Sequence, residues 1–235
     1  MEQFSRTELV FGKAGIQKLN DSKVIVFGVG GVGGYAVEGL IRAGVGNLTL
    51  VDNDVVTLSN LNRQIHALHS TIGKFKTEVA ATRCLDVNPN AAVTPVNAFY
   101  SAETQDAFDL SGFDYVIDAI DTITSKVLLI KNAKKAGTPI ISSMGAGNKL
   151  DPTKFVVADI YETSVCPLAR KMRTLLKKEN VDSLKVVYSE EKAIKVCSEE
   201  KKGSTDHPVP SSVSFVPSVV GLIIAGEVIK DIING

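Results

Sequence analysis

Val24-Ile25-Val26-Phe27-Gly28-Val29-Gly30-Gly31-Val32-Gly33 begins with four apolar residues of high strand propensity and ends in a glycine-rich run. An uninterrupted apolar strand suits a parallel sheet, whose two faces are both covered by helices. The next segment, Tyr35–Ala43, puts Ala36, Val37, Leu40 and Ile41 on one helical face. Strand, glycines, helix is the order in which backbone can turn tightly, approach a pyrophosphate and offer it the positive end of a helix. Asp52, nineteen residues beyond Gly33, ends the next apolar run, Leu48–Val51, where a carboxylate can accept both hydroxyls of a ribose. Gly28, Gly30, Gly31, Gly33 and Asp52 are therefore candidate nucleotide-binding residues. The glycines alone fit NAD, FAD or ATP.

The same alternation continues on both sides of this stretch. Gly73–Val87 reads as a helix stopped by Asn88-Pro89, Val93–Asn97 and Tyr115–Ile117 as strands, Ser125–Ala136 as a helix, and Pro139–Ser142 as a strand. This predicts an α/β, Rossmann-like fold with a mostly parallel sheet and helices on both faces. Phe155–Ile160 alternates in the manner of a strand in a C-terminal antiparallel extension. Residues 163–212 are polar, rich in Lys and Glu and without strong periodicity, and are expected to form a long, mobile, substrate-side segment. Val213–Ile233 is apolar, but Pro217, Glu227, Lys230 and Asp231 point to a buried C-terminal helix, not a membrane span. Residues 1–235 read as one domain.

Lys plus Arg and Asp plus Glu number 26 each, so no global field attracts a polyanion and any such partner needs a local patch. Leu168–Lys178 supplies one: Arg170, Lys171, Arg173, Lys177 and Lys178, with no acid among them. Its plainer reading is a solvated helix face, as for Lys185, Lys192 and Lys195, which alternate with glutamates. Cys84, Cys166 and Cys197 are far apart and form no C-x-x-C pair, which argues against a zinc knuckle or a disulfide framework and suits a reducing compartment. Cys166 and Cys197 are as readily small apolar residues as reactive thiols. Met1–Gly12 has no signal-peptide run, so a cytoplasmic location is expected. His66 and His69 have no third ligand nearby and are read as structural or substrate-facing.

Between Val51 and Thr122 the chain carries Asp54, Asn60, Arg63, Lys76, Asp118 and Asp121. Arg63 and Lys76 supply the positive charge that a triphosphate demands, whereas hydride transfer gives such charges no task. Asp118 and Asp121 follow a strand, on the edge where ligands of open α/β sheets bind, and a carboxylate there can take magnesium. Each could singly be a turn, a surface cation or a helix cap. In order, they favour ATP with Mg2+ over NAD.

These motifs carry a resemblance. G-x-G-G-V-G, the D-x-D at Asp52, S-N-x-x-R-Q at Ser59, G-x-x-K at Gly73 and D-A-x-D at Asp118 make Lys23–Gly147 similar to the adenylation domain of the ubiquitin-activating-enzyme superfamily. The resemblance implies that the glycines cradle the nucleotide, Asp52 holds the ribose and Asn60 and Arg63 contact phosphates. Lys76 would stabilise the charge that develops during adenylation, and Asp121 would organise magnesium. It further implies that Arg6 is donated into the ATP site of a second subunit, in the manner of an arginine finger, and hence that the protein is a homodimer.

Gly145-Ala146-Gly147, Asp151-Pro152-Thr153 and Pro167-Leu168-Ala169-Arg170-Lys171-Met172-Arg173 resemble the branch that dehydrates threonylcarbamoyladenosine in tRNA. That branch implies tRNA as substrate and an acyl-adenylate of the threonyl carboxylate, which the adjoining carbamoyl group attacks to close a ring. A monovalent cation near the ATP and a sulfur-relay partner are further candidates. Val186 and Val187 stand where some relatives carry a cysteine, so no thioester step is expected there. The competing readings are an adenylyltransferase acting on the C-terminal Gly of a ubiquitin-like sulfur carrier, disfavoured by the missing C-x-x-C pairs, and an NAD-dependent or regulatory nucleotide-binding protein.

Overall fold

The computed structural model describes residues 2–194 and 211–235. Seven strands form one sheet: β1 (Lys23–Phe27), β2 (Asn47–Asp52), β3 (Ala92–Asn97), β4 (Tyr115–Asp118), β5 (Ile140–Ser143), β6 (Phe155–Asp159) and β7 (Lys185–Ser189). Their order is β3-β2-β1-β4-β5-β7-β6. All pairings are parallel except that of β6 with β7, with Val157 opposite Val187. The α/β, mostly parallel sheet with an antiparallel extension is as the sequence predicts. The chain reverses direction across the sheet at β1, where β2 lies on one side and β4 on the other, and a crevice opens beyond the carboxyl ends of these strands.

Strand residues alternate between two cores because successive side chains point to opposite faces. Val24, Val26, Leu48, Leu50 and Ile117 pack with α1 (Ser5–Asp21), α2 (Gly33–Ala43), α3 (Lys76–Val87) and α6 (Phe215–Asn234). Ile25, Phe27, Val51 and Val116 pack against α4 (Ile123–Ala136) and α5 (Pro167–Lys178). Helix α1 is broken at Gly12, whose φ of +70° is outside the helical range. Pro217 lies in the first turn of α6, where a missing N–H costs nothing, so it does not interrupt that helix. No helix among the described residues is long and apolar enough to cross a membrane.

Three sequence expectations change here. Helix α3 starts at Lys76, not Gly73: Gly73 takes φ +84°, and its N–H bonds the carbonyl of Val56, folding 55–75 back on itself. The long polar stretch contains α5 and β7. In α5 Ala169, Met172 and Leu176 recur at spacings of three and four and are buried under a strongly basic face, which hides the periodicity from a reading of composition. Lys185 is not simply solvated; it ion-pairs with Asp231 of α6 at 2.7 Å. Residues 195–210, with Lys195 and Cys197, lie outside the described residues.

One ion pair is sealed inside the second core. Asp118, at the end of β4, accepts hydrogen bonds from Lys126 Nζ (2.7 Å) and Ser142 Oγ (2.5 Å), and both charged side chains are fully buried. Lys126 also donates to Ser142, at 3.1 Å. Lys126→Met leaves a buried carboxylate without its cation and should cost about 3–5 kcal/mol. Adding Asp118→Asn should recover at least half of that loss, read by urea unfolding of both variants.

Candidate active site

The glycine loop leaves β1 with the Gly28 N–H bonded to the carbonyl of Val51 at 2.8 Å. Gly28 has φ +88°, and a Cβ there would stand 2.6 Å from the Ala119 carbonyl oxygen; one on Gly33 would stand 1.8 Å from that of Gly28. These two glycines are sterically required by the fold. Gly30 and Gly31 differ, since a Cβ on either would approach no neighbour closer than 3.4 Å. What a side chain there would fill is the cavity itself, in front of the first turn of α2, so both fit a phosphate cradle.

Around that cradle the folding of 52–76 collects polar groups. Asp52 accepts from Val29 N (2.7 Å) and Asp54 N (2.8 Å), which fixes its carboxylate at the rim with lone pairs left for a ribose. Lys76 begins α3 and is tied twice to Asp54, through its N–H to the Asp54 carbonyl (3.0 Å) and through Nζ to Oδ2 (2.6 Å). Lys76 is buried while Asp54 is exposed, so the acid holds the ammonium at the edge of the cavity. Asn60 closes a turn by accepting from Thr57 N at 3.1 Å, leaving its amide N–H groups for the cavity. Arg63 donates from Nη1 to the Ser59 carbonyl and to Asn62 Oδ1, both at 2.9 Å, which orients the guanidinium plane.

These groups, with Asp121 from the turn after β4, line one cavity of about 890 Å³. It continues past the glycine loop into a second half walled by Ser143–Lys149, Cys166–Leu168 and Ser211. The half with the glycine cradle carries Arg63 and Lys76, which can offset charge on a polyphosphate, beside Asp52, Asp54 and Asp121, and the second half can receive a further reactant. Of the residues predicted from sequence, Gly28, Gly30, Gly31, Asp52, Asp54, Asn60, Arg63, Lys76 and Asp121 meet here. Arg6 is exposed on α1 and is not part of this cavity.

Asp118 is corrected. Its carboxylate is consumed by Lys126, Ser142 and the Ile120 N–H, so it shapes the turn and is not open to a metal. Asp121 is exposed beside the cavity and is the acid that fits one. No cluster of three or more His, Cys, Asp or Glu able to hold a metal occurs among the described residues. Arg173 is drawn out of the basic patch, since it donates to the Thr163 carbonyl (2.9 Å) and hydroxyl. Arg170, Lys171, Lys177 and Lys178 stay exposed on α5.

His66 is buried and His69 exposed. Cys84 is a core residue whose thiol is pushed up to about 12, mainly by burial and also by Glu38. Cys166 is buried in the cavity wall. Val186 and Val187 are buried in β7. Sequence reasoning missed Lys126 and Lys149. Lys126 had a signal: with Leu129, Ile130 and Ala133 it occupies the i, i+3, i+4, i+7 stripe of α4, a position no solvated lysine takes. Lys149 had none, being a lone cation between Asn148 and Leu150 in a loop.

The ThiF family model matches residues 4–235. Among curated proteins, the chain is 46% identical over 243 aligned residues to the tRNA threonylcarbamoyladenosine dehydratase of Bacillus subtilis, covering 100% of this chain and 96% of that protein. A solved structure of the E. coli tRNA N6-threonylcarbamoyladenosine dehydratase in complex with ATP superposes with a TM-score of 0.89 at 32% identity, covering 99% of this chain and 94% of that one. The same enzyme in complex with AMP gives 0.90, with the same identity and coverage.

Buried His66 makes stability depend on pH. Burial first, then the charges of Lys76 and Arg83, lower its pKa from 6.5 to about 4. Between these values the unfolded chain binds a proton that the folded chain does not. The contribution of neutral His66 is therefore complete above pH 6.5 and is lost as pH falls towards 4, by up to about 3 kcal/mol. Urea unfolding from about pH 4.5 to about 7.5 should show this slope in the wild type and a flatter one in His66→Gln.

Proposed function

The chain belongs to the ThiF family, and on that footing we propose that it dehydrates threonylcarbamoyladenosine in tRNA by way of ATP. The observation that carries this reading is the two-part cavity. One half gathers the glycine cradle, Asp52, Asn60, Arg63 and Lys76, and the other half opens beside it within the same cavity of about 890 Å³, where a second reactant can lie against the nucleotide. The threonyl carboxylate attacks the α-phosphorus of ATP, the bond to the bridging oxygen breaks and pyrophosphate leaves. The carbamoyl group then attacks the acyl carbon and gives up a proton, AMP departs with one carboxylate oxygen, and relative to its free acid the substrate has lost the elements of water.

Arg63 and Lys76 offset charge on the phosphates in this reaction. Asp121 would hold a magnesium ion, whose contribution when bound is to neutralise phosphate charge. The second half of the cavity needs no protein nucleophile, in keeping with valines at 186 and 187. Activation of a carrier protein's C-terminal Gly is the weaker reading, because the full-length likeness is to tRNA dehydratases. The tRNA backbone is held by Arg170, Lys171, Lys177 and Lys178 of α5, the helix whose first turn forms part of the cavity wall. The protein acts in the cytoplasm as a homodimer in which Arg6 of one subunit completes the ATP site of the other.

Incubation with ATP and bulk tRNA, followed by digestion and mass analysis, should show threonylcarbamoyladenosine lighter by one water. An unchanged nucleoside mass overturns the reading. Arg63→Ala and Lys76→Ala should each lower ATP–pyrophosphate exchange by at least about 100-fold. For Arg6, subunits carrying Arg6→Ala mixed equally with subunits carrying Asp121→Ala should regain roughly a quarter of wild-type activity, from the one intact site in each mixed dimer. No recovery means that Arg6 does not act across the dimer.

A further inference from the structure

The second half of the cavity contains a buried cation that the nucleotide groups leave unused. Only 5% of Lys149 is exposed, yet it forms part of the cavity wall. Among the described residues its ammonium donates one hydrogen bond, to the main-chain carbonyl of Glu191 at 2.6 Å. The carboxylate of Glu191 is directed elsewhere, accepting from the N–H groups of Leu150 (3.1 and 3.2 Å) and Asp151 (3.0 Å). The other two buried lysines of the site region each have a carboxylate, Lys126 in Asp118 and Lys76 in Asp54. Among the described residues Lys149 has no ion pair within 4 Å; the Glu191 carboxylate feels its charge but is bonded to main-chain N–H groups instead.

An ammonium carries three donors, and a buried charge is stable only when paired or fully hydrogen-bonded. An under-bonded cation in a cavity wall therefore calls for an anion inside the cavity. Lys149 comes from the loop after β5 and the glycine cradle from the loop after β1, so two separate loops bring them to one cavity. Leu168 and the buried Cys166 line the same half, so charge attraction there is weakly screened.

The lysine is also held in place. Asn148, next to it in the chain, takes φ +57°. Its Oδ1 accepts from Ser211 N and Oγ, both at 2.8 Å, and its main chain bonds Ser211 and Ile194.

We propose that Lys149 binds the carboxylate that is to be adenylated. This rests on the reaction proposed above and deepens it. Paired through one oxygen to Lys149, the carboxylate can approach the triphosphate without unscreened repulsion, and its other oxygen is free to attack the α-phosphorus. Adenylation turns the anion into a mixed anhydride, so Lys149 holds substrate and has no carboxylate left to hold in the acyl-adenylate or the cyclised product.

The test uses Lys149→Gln, which can keep a hydrogen bond to Glu191, and Lys149→Met, alongside Lys149→Arg. Both neutral variants should raise the half-saturating concentration of modified tRNA roughly 10- to 100-fold while ATP affinity stays within about twofold. The arginine variant should remain within a few-fold of wild type, with about the same ATP affinity. As a charge-specific readout, threonylcarbamoyladenosine and its neutral carboxamide are compared as inhibitors. Wild type should favour the acid at least roughly 10-fold, and the neutral variants should bind both alike. An unchanged tRNA requirement, a retained preference for the acid, or an equal loss of ATP binding in the neutral variants overturns the assignment. Wild-type protein that leaves the tRNA nucleoside unchanged instead overturns the reaction itself.

Discussion

The site depends on a carboxylate that never meets a ligand. Asp118 is sealed at the end of β4 by Lys126 from α4 and Ser142 from β5, so one ion pair fastens two adjacent strands to the helix that crosses between them. Its other oxygen accepts from Ile120 N at 3.2 Å and so shapes the turn at 119–121. The Ala119 N–H bonds the Phe27 carbonyl, and the Ala119 carbonyl lies where any side chain on Gly28 would have to go. The glycine loop is thus shaped from below by a buried salt bridge, and Asp121 stands at the rim because Asp118 does not. Such a pair adds little net stability over an apolar core, but breaking it is severe, which makes it a device of geometry.

Charge in the cavity is arranged by distance from water. Lys76 is buried and tethered to the exposed acid Asp54, Arg63 is held by a main-chain carbonyl and an amide, and Lys149 rests on the Glu191 carbonyl. The cations nearest the glycine cradle are oriented in advance, so little reorganisation is needed when a polyphosphate meets them. A chain of zero net charge thereby turns Arg63, Lys76 and Lys149 into the cavity beside Asp52, Asp54 and Asp121, without an attractive field over its whole surface.

Much of this was legible in the sequence where chemistry and periodicity coincide. The strand–glycine–helix unit, Asp52, Asp54, Asn60, Arg63, Lys76 and Asp121 follow local patterns, and each contributes to the cavity. What the sequence hid was long-range pairing. Asp118 and Asp121 look alike in Asp118-Ala119-Ile120-Asp121, and only the approach of Lys126 and Ser142 separates the structural acid from the accessible one. Arg173 belongs to a basic run yet bonds Thr163, ten positions back. Strand β7 was obscured because its partner β5 lies some forty residues earlier and its flanks are polar. Lys149 shows nothing in sequence because what marks it is long-range: it is buried in the cavity wall with no acid paired to it among the described residues.

The placement of α6 bears on how the molecule is made. Its first turn brings Pro217 against Gly31, and its later turns pack along α2, so the back of the cradle comes from residues nearly two hundred positions downstream of the loop. During synthesis the glycine loop, Asp52 and Lys76 leave the ribosome long before that wall exists. At about 5–20 residues per second the gap lasts on the order of ten seconds or more. A nascent chain in that interval has the residues for the nucleotide but not the enclosure, and its strands expose the apolar face that α6 will cover. Contacts this distant in sequence also slow folding. The helix that completes the site therefore also sets the end of a window in which the unfinished chain is open to aggregation.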